Sequence, residues 1–134
     1  MIMKEKFFSK VPQHQYLILK QFIEEHPYKK YHNNGVEYEY IATGNGKRTV
    51  VLIHGAMFNS YMWFYIISKL KKDFCIIAPK LPVIGMGVNE SVNYIKTILD
   101  TEKVSKAIIV GYSYGGGVAQ YFAEVYPFSI YIQL

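Results

Sequence analysis

The spacing of apolar positions changes several times along the chain, and each change predicts an element. Between Pro12 and His26, Tyr16, Leu17, Leu19, Phe22 and Ile23 recur at helical spacing, and Pro27 stops the run, so a short amphipathic helix is predicted there. Tyr28 to Ala42 alternates weakly around Asn33-Asn34-Gly35, and Asn-Gly is a two-residue hairpin signal, which predicts two antiparallel strands. Thr49 to Ile53 is a continuous apolar, mostly β-branched run, the pattern of a strand covered on both faces. From Ser60 to Lys72, Trp63, Ile66, Ile67 and Leu70 make one helical stripe. Ser60 is placed to cap it, and Lys69, Lys71 and Lys72 suit the negative end of its dipole.

The same alternation continues downstream. Phe74 to Ala78 reads as a second buried strand, closed by Pro79. Asn89 to Asp100 carries Val92, Ile95 and Leu99 on one helical face, and Ala107 to Val110 is a third buried strand. Tyr114 to Tyr126 is predicted helical, with Val118, Phe122 and Val125 inward and Gln120 and Glu124 outward. Ile130, Ile132 and Leu134 alternate as a last short strand. Strands alternating with helices imply right-handed crossovers and an α/β fold, a mostly parallel sheet with helices on both faces.

Composition narrows the function classes. With 134 residues, 51% hydrophobic and 19% charged, the chain reads as one folded domain over 1–134, with 1–27 as an N-terminal helical extension. The net charge is +5, but the lysines are scattered and Arg48 is the one arginine, which argues against a nucleic-acid partner. The N-terminus lacks a signal-peptide core, and no apolar run approaches the ~18 residues of a membrane span. The expectation is therefore a cytoplasmic protein without a membrane partner. Cys75, the single cysteine, lies in a predicted strand and reads as an inert thiol. No metal-ligand spacing and no cofactor motif is present, so neither a metal nor a cofactor is expected.

The chemistry concentrates in Gly111-Tyr112-Ser113-Tyr114-Gly115. Gly-x-Ser-x-Gly alone is weak, since about one chain in twenty of this length would hold it by chance. Here it follows a buried strand and opens a helix, the context that gives it meaning. A serine on such a sharp turn sits in a strained conformation, Gly111 and Gly115 remove side chains where the backbone passes close, and Gly116 lets the helix approach the sheet. The helix N-terminus favours negative charge at Ser113. The alternatives are a phosphate-binding turn or a merely structural one. Against the first, neither a Gly-Lys-Ser/Thr run nor a complete Gly-x-Gly-x-x-Gly is present.

A second feature is His54-Gly55-Ala56-Met57, immediately after the first buried strand. Together, "VVLIHGAM" and "IIVGYSYGGG" resemble the oxyanion loop and nucleophile elbow of the α/β-hydrolase superfamily, over about residues 35–134. The resemblance implies Ser113 as catalytic nucleophile and the backbone N–H groups of Ala56 (or Met57) and Tyr114 as the oxyanion hole. His54 would orient the loop rather than act as base, with Gly55, Gly111 and Gly115 as structural parts of the motif. It implies a small-molecule carbonyl substrate and a sheet order of 1-2-4-3-5-6.

Two departures shape the expectation. The segment after Pro79, Lys80 to Gly87, lacks the aspartate and arginine usual there and is similar to maspardin-like members, some of them non-catalytic. The resemblance also implies a catalytic acid and histidine after the nucleophile, yet no Asp, Glu or His follows Glu124. The expectation is an N-terminal half of a serine hydrolase for an ester, amide or lactone, truncated and weak or inactive alone. Its last strand would be an exposed sheet edge open to self-association. The alternative is a non-catalytic binding module using Tyr61, Met62 and Trp63, or a non-functional fragment.

Overall fold

The structure, a computed structural model, describes residues 12–82, 86–127 and 130–134. Helix α1 (Gln13–Glu25) precedes a hairpin of β1 (Lys29–Asn33) and β2 (Val36–Gly44). Strand β3 (Thr49–Ile53) leads through a 3₁₀ turn (Ser60–Trp63) into α2 (Phe64–Leu70) and β4 (Cys75–Pro79). Then come α3 (Val88–Thr101), β5 (Ile108–Gly111), α4 (Tyr114–Val125) and β6 (Ile130–Gln133).

The six strands form one sheet in the order β1-β2-β4-β3-β5-β6, as expected. The first two pairings, β1 with β2 and β2 with β4, are antiparallel. The other three are parallel. At the hairpin, Asn33 pairs with Val36, and Asn34 and Gly35 both have positive φ, so the Asn-Gly signal makes the two-residue turn it predicts.

All five residues of β3 are buried, because its side chains alternate between two cores. Val51 and Ile53 join Ile77, Ile109 and the inner faces of α3 and α4, where Ile95, Ile98, Val118 and Phe122 pack. Val50 and Leu52 join Ile76 and Ala78 on the other face, against Phe22 of α1, Trp63 and Ile67. This two-sided burial fixes β3 and β5 at the centre of the sheet, and their C-terminal ends carry both motifs.

Several local expectations need correction. Asn59, not Ser60, caps the turn into α2, its side chain accepting from the Tyr61 N–H at 2.9 Å. The buried Ser60 hydroxyl instead bonds the carbonyls of Ala78 (2.9 Å) and Pro79 (2.8 Å), tying the turn to the end of β4. Because the run opens as a 3₁₀ turn, the helical phase shifts. Trp63 and Ile67 stay buried, but Ile66 faces outward. Val125 is likewise exposed at the end of α4. Cys75 is half-buried, its Sγ directed at the Gly46 carbonyl at 3.0 Å. Trp63 is buried in the core, and Tyr61 and Met62 are partly buried and packed against the same cluster.

Candidate active site

Ser113 stands between β5 and α4 with φ 53° and ψ −118°, a conformation that non-glycine residues rarely adopt. The surrounding backbone enforces it. The Tyr112 N–H donates to the Ile53 carbonyl (3.1 Å) and the Ser113 N–H to the Leu134 carbonyl (3.2 Å), so the turn is held between β3 and the end of β6. On the other side, the N–H groups of Gly115 and Gly116 donate to the carbonyls of Tyr112 and Ser113. Strain of this kind, of order 1–3 kcal/mol, persists only where neighbours over-determine it.

The flanking glycines are required by space. A Cβ on Gly111 would lie 1.9 Å from the Gly115 carbonyl oxygen. One on Gly115 would lie 2.4 Å and 2.6 Å from those of Ile53 and His54. The close approach of helix to sheet thus occurs at Gly115.

His54, at the end of β3, is buried, and both ring nitrogens are engaged. Nδ1 donates to the Gly55 carbonyl at 2.8 Å, which leaves Nε2 to accept from the Leu81 N–H at 3.0 Å. This fixes the neutral tautomer, and burial lowers the imidazole pKa from its ordinary 6.5. His54 therefore clamps the loop after β3 to the segment after β4. Its nitrogens have no capacity left for a proton from Ser113.

The pH consequence follows directly. The unfolded chain takes up a proton on this histidine near pH 6.5, whereas the folded chain does so only at lower pH. The contribution to stability is whole above pH 6.5 and is lost as pH falls below it. Urea midpoints measured from pH 8 to 5 should fall below pH 6.5, and His54→Gln should flatten that fall. An unchanged pH dependence in the variant would contradict the assignment.

Past His54, the chain makes a tight turn in which the Phe58 N–H donates to the Gly55 carbonyl at 3.2 Å and Met57 takes a positive φ of 68°. The turn lies against the elbow. A Cβ on Gly55 would sit 3.1 Å from Tyr112 Cδ1 and 3.4 Å from Ser113 Cβ. Among the described residues, nothing accepts from the N–H of Ala56 or Tyr114. The elbow is also braced from below, a contact the sequence motifs do not signal. The Tyr114 hydroxyl donates to the Met86 carbonyl at 3.2 Å and meets the Ser91 hydroxyl at 3.1 Å, fixing the elbow to the first turn of α3.

A family model described as alpha/beta hydrolase fold matches residues 48–130, from the start of β3 to the start of β6. The chain belongs to the alpha/beta hydrolase fold family. Within it, the chain is similar to human Epoxide hydrolase 4, 30% identical over 115 residues, covering 76% of this chain and 31% of that one. It is similar to the Soluble epoxide hydrolase of Corynebacterium sp., 34% identical over 98 residues, with 67% and 34% covered. Among solved structures, the carboxylesterase CesB of Bacillus subtilis superposes with a TM-score of 0.66 at 20% identity, over 88% of this chain and 46% of that one. The chain thus spans about a third of the length of the curated relatives it matches.

No histidine or carboxylate of the described residues makes a hydrogen bond with the Ser113 hydroxyl. His32 is on β1, four strands from β5, a separation of roughly 19 Å at ordinary strand spacing. His26 ends α1, stacked on Phe22 and bonded to its carbonyl at 2.9 Å. His14 is at the start of α1. Among the described residues, no three His, Cys, Asp or Glu side chains come together as metal ligands, and no helix is long and apolar enough to cross a membrane. The segment after Pro79, which set the maspardin-like reading, falls partly outside the described residues, at 83–85. Strand β6 has a hydrogen-bonded neighbour on one side among the described residues, and Ile132 and Leu134 are exposed there.

Proposed function

We propose that Ser113 is the nucleophile of an acyl-transfer hydrolase acting on a carbonyl substrate: an ester, amide or lactone. The carrying observation is the strained Ser113 backbone at the N-terminus of α4, facing a loop whose Ala56 N–H, with that of Tyr114, has no acceptor among the described residues. Two free N–H groups beside a serine suit the oxyanion of a tetrahedral intermediate. The Ser113 Oγ bonds to the acyl carbon and gives up its proton, the bond from that carbon to the leaving oxygen (nitrogen in an amide) breaks and the leaving atom takes a proton, and water later cleaves the acyl ester to release the acid and restore the hydroxyl.

The identity of the side chain also bears on the substrate, because similarity to epoxide hydrolases does not transfer their reaction. A serine that opened an epoxide would form an alkyl ether, and an ether has no carbonyl for water to attack. A carboxylate in that place would form a hydrolysable ester. For Ser113, an epoxide is a dead-end alkylating agent and a carbonyl ester is a substrate.

A serine with no base is a poor nucleophile. Full turnover needs an acid and a histidine beyond those near Ser113 here, so the 134 residues alone are expected to acylate slowly and to hydrolyse the acyl ester hardly at all. With p-nitrophenyl acetate, the expected result is at most one equivalent of nitrophenolate per chain, with an acetyl adduct in the intact mass. Styrene oxide should yield a stable adduct and no diol. Catalytic diol formation that depends on Ser113 would overturn the carbonyl assignment.

A further inference from the structure

We infer that a cleft at the far end of α4 from Ser113 binds a small organic monoanion with a flat apolar body, of which an aromatic monocarboxylate is the simplest. Helix α4 is 12 residues long, so about 18 Å separates the two ends, and nothing in this binding requires the serine. The cleft encloses about 470 Å³ beside the start of β5, within the ordinary range of small-molecule sites. Leu99 near the end of α3, Ala107 before β5 and Phe122 of α4 form its floor. All three are buried in the core between α3, α4 and the sheet, so the floor is fixed as well as apolar. Tyr126 adds a second ring, its centroid 4.9 Å from that of Phe122.

The rim supplies the charge. Lys96 pairs with Asp100 and lies over the Tyr126 ring, 5.4 Å from its centroid, so its charge is met within the protein. Lys103, the other cation lining the cleft, has no ion pair among the described residues, and the Ser105 hydroxyl has no hydrogen-bond partner there. Glu102, next to Lys103 in the chain, is taken up by Lys29 and the Tyr40 hydroxyl. Lys103 also springs from a fixed point. It is the left-handed residue that ends α3, with φ 58°. Its N–H donates to the Asp100 carbonyl at 3.1 Å, and the Val104 N–H donates to that of Leu99 at 2.8 Å. Glycine or asparagine suits that position, so the lysine stands there against its backbone preference. One unmatched positive charge and one free hydroxyl above an aromatic floor complement a carboxylate on an aromatic ring. A neutral ring would leave Lys103 unused, and a dianion would exceed the one charge on offer.

Titration of the 134-residue chain with naphthalene-2-carboxylate, and with naphthalene-2-carboxamide as its neutral counterpart, tests this by NMR. The acid should shift the methyl signals of Leu99, Val104 and Ala107 saturably and leave the Ser113 amide unmoved. The amide should bind roughly three- to tenfold more weakly, the effect of losing one charge-assisted contact at an exposed rim. Lys103→Gly should weaken the acid by the same factor while raising the melting temperature, because glycine relieves the left-handed backbone. Lys103→Gln, which keeps a long side chain, should weaken it equally, so that neither unfolding nor altered backbone accounts for the loss. No saturable shift, shifts centred on Ser113, equal binding of acid and amide, or undiminished binding to both Lys103 variants overturns the inference.

Discussion

Gly115→Ala is expected to destabilise the fold severely, while Gly117→Ala, two residues on in the same helix, is expected to stabilise it. Alanine is the better helix former by about 1 kcal/mol at either place. At Gly117 nothing lies within 4 Å of the new methyl group, so that gain is kept. At Gly115 the methyl would sit 2.4 Å and 2.6 Å from two backbone carbonyl oxygens of β3 and the residue after it. Neither can rotate away, because the sheet holds Ile53 and the loop clamp holds His54. The helix must lift off the strand, at a cost near or above the roughly 3 kcal/mol upper range of overpacking. Thermal melts of the two variants should differ in sign, with Gly115→Ala lower by roughly 10 °C or no longer cooperative. Similar melting temperatures would show that the elbow is looser than described.

The second large effect concerns His54→Ala. It removes one of two donors to the Gly55 carbonyl and the acceptor of the Leu81 N–H, and leaves a cavity where a buried ring stood. The Gly55 carbonyl keeps the Phe58 N–H, but the Leu81 N–H is left unsatisfied, which costs about 1–3 kcal/mol, and with the lost packing the total should be about 2–5 kcal/mol. The loop carrying Ala56 and Met57 would also lose its anchor to the segment after β4. Urea unfolding should show the loss, and amide exchange at Leu81 should speed up selectively. Gln can offer a donor and an acceptor, so His54→Gln should recover part of the stability. If His54→Ala unfolds at the unsubstituted midpoint, the clamp is not what holds the loop.

Much of this fold is written in the periodicity of the chain. The continuous apolar runs of β3 and β4 require cover on both faces, and the Asn-Gly signal needs only local backbone geometry. Such features are legible because they depend on neighbours in sequence. The misread positions depend on neighbours in space. Ser60 has the chemistry of a cap, but the open carbonyls of Ala78 and Pro79 lie within its reach and Asn59 takes the cap. Ile66 fits an α-helical stripe, and the 3₁₀ start turns it outward.

The candidate site divides in the same way. Gly-x-Ser-x-Gly and His-Gly show in the sequence because the tight turns admit few residue types. The Leu81 partner of His54 and the brace from Tyr114 to Ser91 and Met86 do not show, since any residue offers a backbone N–H or carbonyl, and hydroxyls are common. Met57 is legible as a loop residue and as the alternative to Ala56 for the oxyanion N–H, and its left-handed backbone shows only with the turn between Gly55 and Phe58.

Peptide mass mapping after incubation of the 134-residue chain with a fluorophosphonate addresses the nucleophile itself. One adduct per chain on the peptide containing Ser113, absent in Ser113→Ala and absent when the chain is first unfolded in urea, is the predicted result. A folded chain that stays unlabelled, or a label that persists in Ser113→Ala, would contradict the assignment of Ser113 as the nucleophile.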